Sequence, residues 1–132
     1  MKHPERVEDY LEHIAQAIRR AAEYVERLGS ASAFRQSQRD QDAVMRNIEI
    51  IGEAARHIQK NAPEFVTAHP DLPWVEMRGM RNKMIHDYFD VDANVVWSTV
   101  KDDLPRLKQQ IDDLLKEQRG SAPRAPEPGS SR

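Results

Sequence analysis

The 132-residue chain contains no cysteine. That absence removes disulfide staples, thiolate metal ligands and a cysteine nucleophile together, and it fits a reducing, cytoplasmic setting. A charge bias is missing too, since 20 Lys and Arg stand against 22 Asp and Glu for a formal net charge of −2. A polyanion such as nucleic acid is therefore not drawn to the molecule as a whole, and any site for one must be a local patch. No run approaches the ~20 consecutive apolar residues of a membrane span. The opening MKHPERVEDY lacks the apolar core of a secretory leader, so neither secretion nor anchoring is expected. No glycine-rich phosphate loop and no convincing strand pattern occur either.

What the chain does have is helical periodicity. Its length suits one domain with its own core. From Pro4 to Leu28 the residues Val7, Tyr10, Leu11, Ile14, Ile18, Ala21, Val25 and Leu28 recur at spacings of three and four, with Pro4 suited to the first turn and Gly29 to a stop. The polar segment GSASAFRQSQR then reads as a connecting loop with one aromatic, Phe34. A second helix is predicted from about Asp40 to Lys60, carrying Val44, Ile48, Ile51, Ala55 and Ile58, with Gly52 placed to permit close helix contact. Pro63, Pro70 and Pro73 break the pattern and predict an irregular or short-turn connection anchored by Trp74.

The third helix is expected over Trp74 to His86, with Met77, Met80 and Met84 along one side as core or dimer-interface residues, here read as interface. The segment DYFDVDAN interrupts it. Trp97, Val100, Leu104, Leu107, Ile111 and Leu114 mark a last helix whose register runs past Pro105, which predicts a kink rather than a boundary. After about Glu117 the Pro-, Gly- and Ser-rich RGSAPRAPEPGSSR has little to bury. The expected architecture is therefore all-α: an up-and-down bundle of about four to five helices over residues 1–117, with a disordered tail over 118–132.

The segment MRGMRNKMIHDY gathers Arg78, Arg81, Lys83 and His86 beside apolar methionines. On a straight helix at about 100° per residue, Arg81 and Tyr88 share a stripe while His86 lies about 140° round from Arg81. An irregular helix end around Asp87, or a two-fold dimer with a shared cleft, brings the two groups together, and the dimer is preferred.

The sequence Arg81, Asn82, three residues, His86, one residue and Tyr88 resembles the Arg-polar-x3-His-x-Tyr signature of HepT-like toxins in the HEPN superfamily. The stretches VEDYLEHIAQAI, QDAVMRNIEIIGEAA, PWVEMRGMRNKMIHDYFDVD and VVWSTVKDDLPRLKQQI share the resemblance, so roughly residues 4–115 are covered. The resemblance implies a HEPN-like homodimeric bundle that cuts RNA without a metal or other cofactor. It would be the toxin of a type VII-like toxin-antitoxin pair, forming a larger hetero-oligomer with its nucleotidyltransferase antitoxin. It also implies that Arg81 and His86 are catalytic and that Tyr88 is the hydroxyl to which the antitoxin transfers AMP.

Elementary chemistry agrees with those roles. RNA carries its own nucleophile, the 2′-hydroxyl, so a cleaving enzyme needs proton transfer and charge stabilisation at the phosphate. His86, with an unperturbed pKa of about 6.5, suits the first task. Arg81 suits the second, because a guanidinium engages two phosphate oxygens at once. Asn82 and Tyr88 would support them, Arg78 and Lys83 would contact the RNA backbone, and AMP on Tyr88 would block the cleft with bulk and negative charge.

Other readings remain at this point. Glu49, Glu53 and His57 fall at spacings of four and resemble half of a bundle-type metal set, but the second half is missing. His3, His13 and His69 have no partners at metal spacing. The whole chain also fits a catalytically silent helical interaction module, or a nucleotide-binding partner subunit of a nucleotidyltransferase.

Overall fold

The structure is a computed structural model that describes residues 6–87 and 90–121. The first helix, α1 (Val7–Leu28), begins where Asp9 accepts the Arg6 N–H at 3.1 Å and ends where Gly29 adopts φ 82°, ψ −17°. That left-handed conformation costs little only without a Cβ, which gives the expected stop at Gly29 its backbone cause. The expected start at Pro4 lies outside the described residues. Leu11, Ile14, Ile18, Ala21 and Val25 are buried, so the three-and-four spacing is the core face.

The segment read as a loop contains a short helix, α2 (Ala31–Arg35). The Ser30 hydroxyl caps it by accepting the Ala33 N–H at 3.1 Å, and Phe34 is fully buried. The lone aromatic of a polar stretch is thus an anchor, set against Trp97 at 5.8 Å between ring centres. The second long helix, α3 (Gln38–Asn61), starts at Ser37, whose hydroxyl accepts the Asp40 N–H. The buried Gln41 amide ties α2 to it by donating to the carbonyls of Phe34 and Arg35. Val44, Ile48, Ile51, Ala55 and Ile58 face the core. Between the prolines lies α4 (Pro63–Ala68), with Pro63 in its first turn, where a missing N–H costs nothing. Trp74 anchors the connection as expected: it is buried and its indole N–H donates to the His69 carbonyl at 2.9 Å.

The helix α5 (Trp74–Met84) stops short of the expected His86. Ile85 is extended at φ −115°, ψ 124° and opens a small antiparallel pair, β1 (Ile85–Asp87) with β2 (Asp90–Val91), whose register is irregular between Ile85 and Asp87. The Asp92 N–H then closes the excursion on the Met84 carbonyl at 2.7 Å. Met77, Met80 and Met84 are all buried within this one chain. The methionine stripe is therefore core, which corrects its reading as a dimer surface: the neighbouring helices already cover it.

From Asp92, which caps with its carboxylate, the chain runs through α6 (Ala93–Ser98), a π turn (Thr99–Asp103) and α7 (Leu104–Ser121) without a break. The Leu104 N–H bonds the Thr99 carbonyl five residues back. A proline ring collides with the carbonyl four residues before it, so a wide turn containing Lys101 is what lets Pro105 ride inside a continuous rod. α7 continues past Glu117 to Ser121; the rest of the expected tail, residues 122–132, lies outside the described residues. The helices α1, α3, α5 and α6–α7 alternate in direction around one core, an all-α up-and-down bundle. Among the described residues no helix is long and apolar enough to cross a membrane.

Candidate active site

Two helices meet more closely than side chains ordinarily allow where α3 crosses α5. A Cβ on Gly52 would stand 3.2 Å from the Met77 carbonyl oxygen and 3.6 Å from that of Arg78. Glycine lets the α5 backbone press directly on α3, as its place in the sequence suggested. That contact fixes the roll of α5, and with it the side on which Arg78, Arg81 and Asn82 emerge. They line a groove of about 660 Å³ opposite Glu49, Glu53 and Arg56 of α3.

Arg81 is held there by one bond: its Nε donates to Glu49 Oε2 at 3.1 Å. Engaging Nε orients the guanidinium plane and leaves both Nη groups without a protein partner among the described residues. Such a fork matches two oxygens of a phosphate. Deeper along α3, the Glu53 carboxylate accepts from Arg56 Nη2 at 2.5 Å and lies 3.2 Å from His57 Nε2. The Arg56 hydrogen bond, ahead of its charge, holds the Glu53 carboxyl below the ordinary glutamate range, and the same bond raises Arg56. Three arginines thus oppose two glutamates along this groove, a positive patch on a chain whose net charge is −2.

Arg78, Arg81 and Asn82 are brought to one groove, but Lys83 is not. Lys83 lines a separate groove of about 380 Å³ on the other flank of α5, with Asp102, Asp103 and Arg106. His86 follows the helix end in β1, on extended backbone rather than on the α5 stripe. The His86 side chain and Tyr88 lie outside the described residues.

Glu49 is a residue that the sequence does not place at the site. Its spacing with Glu53 and His57 forms only half of a metal set, and the structure engages Glu49 with Arg81 and Glu53 with Arg56 and His57. Among the described residues no cluster of three or more His, Asp or Glu could hold a metal ion. A signal was present in the sequence: Glu49, Gly52, Glu53 and Arg56 share one helix face, and a glycine in such a row marks a crossing partner.

Residues 14–114 match the family described as Ribonuclease HepT-like. A Thermococcus cleftensis protein named "Probable ribonuclease HepT" is 44% identical over 108 residues, which is 82% of this chain and 94% of that protein. A Caldanaerobacter subterraneus protein named for an RNase is 36% identical over 110 residues, or 83% and 95% of the two chains. A Methanocaldococcus jannaschii protein named for both gamma-glutamylcyclotransferase and RNase is 41% identical over 112 residues, 84% of this chain but 48% of its own. No solved structure matches.

Proposed function

Since the chain belongs to the ribonuclease HepT-like family, we propose that it cleaves RNA at the α3–α5 groove, without a metal, through Arg81 and His86. The observation that carries this reading is the Arg81 fork, fixed at Nε by Glu49 and open at both Nη groups in the most positive groove of α5. The fork binds the scissile phosphate and stabilises the charge that builds on it as the 2′-oxygen attacks phosphorus. His86, presented by β1 just past the helix end, takes the 2′-hydroxyl proton. The matching histidine of a second protomer returns a proton to the departing 5′-oxygen. Asn82 orients these groups and Arg78 adds a second phosphate contact. Lys83, on the opposite flank, is assigned no part.

A homodimer suits this division of labour. Val75, 72% exposed, lies on the groove flank of α5 and offers the apolar contact for a second copy. Tyr88, two residues beyond His86, is the proposed acceptor of AMP from a nucleotidyltransferase antitoxin, which would make the chain the toxin of such a pair.

The test is cleavage of single-stranded RNA with EDTA present throughout, with Arg81→Ala and His86→Ala alongside. Cleavage by the wild type alone is expected, and intact RNA in the wild-type lane would leave only an interaction module. Light scattering should give about twice the 15.2 kDa chain mass. Co-expression with the antitoxin should add AMP to Tyr88 and to no Tyr88→Phe variant.

A further inference from the structure

Across α3 from the Arg81 groove lies another, of about 460 Å³, between α3 and α1. The two grooves share Glu49 and Glu53 as a common wall. Both carboxylates are already paired with an arginine, Glu49 with Arg81 and Glu53 with Arg56. An anionic strand passing from one groove to the other therefore crosses ion pairs rather than bare negative charge. On the α1 side stands Arg46, exposed and with no ion-pair partner among the described residues. Taken together, the two grooves set four arginines against two glutamates.

The remaining wall of the α1–α3 groove is aromatic. Tyr10 and His57 stack with ring centres 5.2 Å apart and planes 9° from parallel, and His13 meets Tyr10 edge-on at 6.2 Å. Tyr10 packs partly on the core, but His13 is exposed and the His57 side chain is 37% exposed, so ring surface stays open to a ligand. The proposed cleavage chemistry uses none of these rings. Open rings beside an unpaired arginine, at the end of a positive track, are how proteins hold single-stranded RNA: bases stack on rings while cations hold phosphates.

We propose that the RNA strand runs from its scissile phosphate at Arg81 over the Glu49–Glu53 wall into the α1–α3 groove, where an unpaired base stacks on the His13–Tyr10–His57 cluster and Arg46 holds the adjacent phosphate. This rests on the ribonuclease reading above, and it concerns where the strand lies rather than how it is cut. It assigns the substrate to unpaired RNA, because a base held in a duplex cannot turn out onto the rings.

The experiment compares a dinucleotide with longer single-stranded oligonucleotides on the full chain, using wild type, His13→Ala, Arg46→Ala and His57→Ala, each checked for its helical signal and melting. For wild type, KM should fall as the strand lengthens. In the variants KM on long strands should rise about tenfold, with kcat and all dinucleotide kinetics unchanged. Equal length dependence in wild type and variants, or kcat falling equally at every length, would overturn the proposal. So would Arg46→Ala turning a dimer into a monomer, which would make this face a self-association surface, or free AMP filling the groove as tightly as a long strand. Should the wild type cut no RNA, the ribonuclease reading falls on its own. Binding to His86→Ala of an oligonucleotide carrying a fluorescent adenine analogue still decides the strand path, by quenching that His13→Ala abolishes.

Discussion

Each flank of α5 carries a groove, and the two differ most in sign. Toward α3, Arg56, Arg78 and Arg81 face Glu49 and Glu53; toward the π turn, Asp71, Glu76, Asp102 and Asp103 face Lys83 and Arg106. Arg81 and Lys83 stand two positions apart, and at about 100° per residue that step carries the second cation about 200° round the helix. A run of cations that looks like one patch in the sequence is thus divided between a positive surface and a negative one. Charge sign, not the presence of a cavity, identifies the flank that suits a phosphate chain.

Removing one cation from each flank tests this difference in sign most directly. Arg81→Ala should lower kcat/KM for RNA by about 10²–10³, the usual cost of losing a preorganised charge-stabilising donor. Lys83→Ala should leave it within about twofold of wild type, and equal losses would erase the distinction between flanks.

Next in size is the crossing that sets the roll of α5. Gly52→Leu forces a side chain against the Met77 carbonyl, which a Cβ alone would approach to 3.2 Å. The expected destabilisation is about 1–3 kcal/mol, read as a lower melting temperature with cleavage reduced beyond it. An unchanged melt would mean that the helices do not meet there.

Glu49→Ala probes the hold on Arg81. Losing a supporting partner of a functional group costs about 10-fold or more in activity, while an exposed ion pair contributes only about 0–1 kcal/mol to folding. A fall in kcat without a fall in melting temperature is expected, and a large melting shift would recast Glu49 as structural.

The smallest effect concerns pH. Arg56 depresses the Glu53 carboxyl, so the pair's stabilisation is complete above the ordinary glutamate range and is lost as pH falls through the depressed value. Melting curves of wild type and Glu53→Gln should differ slightly at neutral pH and converge in acid. A gap that persists in acid would assign the difference to something other than the ion pair.

The long helices were legible because each buries a stripe at helical spacing over several turns, as α1 does with Leu11 through Val25. α2 and α4, five and six residues long, are too short to display a period, and only the buried Phe34 hinted at the first. The sequence pattern carries α5 on to His86 because what stops the helix is not local: β2 pairs with β1, and Asp92 satisfies the Met84 carbonyl from beyond the hairpin. Pro105 correctly marked the distortion in the last helix, though not its form as a π turn. At the site, the nearness of Arg78, Arg81 and Asn82 could be read from one segment. The partnership of Arg81 with Glu49, 32 residues earlier in the chain, depends on the packing of two helices that the sequence lists separately.

Arg119, in the last turns of α7, reaches both Glu8 and Glu12 in the first turns of α1. The start and finish of the bundle are consequently fastened side by side. A circular permutant that bridges them with a short flexible linker and opens the chain elsewhere, for instance between α4 and α5, would preserve every helix pairing, and the two severed ends of the native order would serve equally well as points for attaching a reporter.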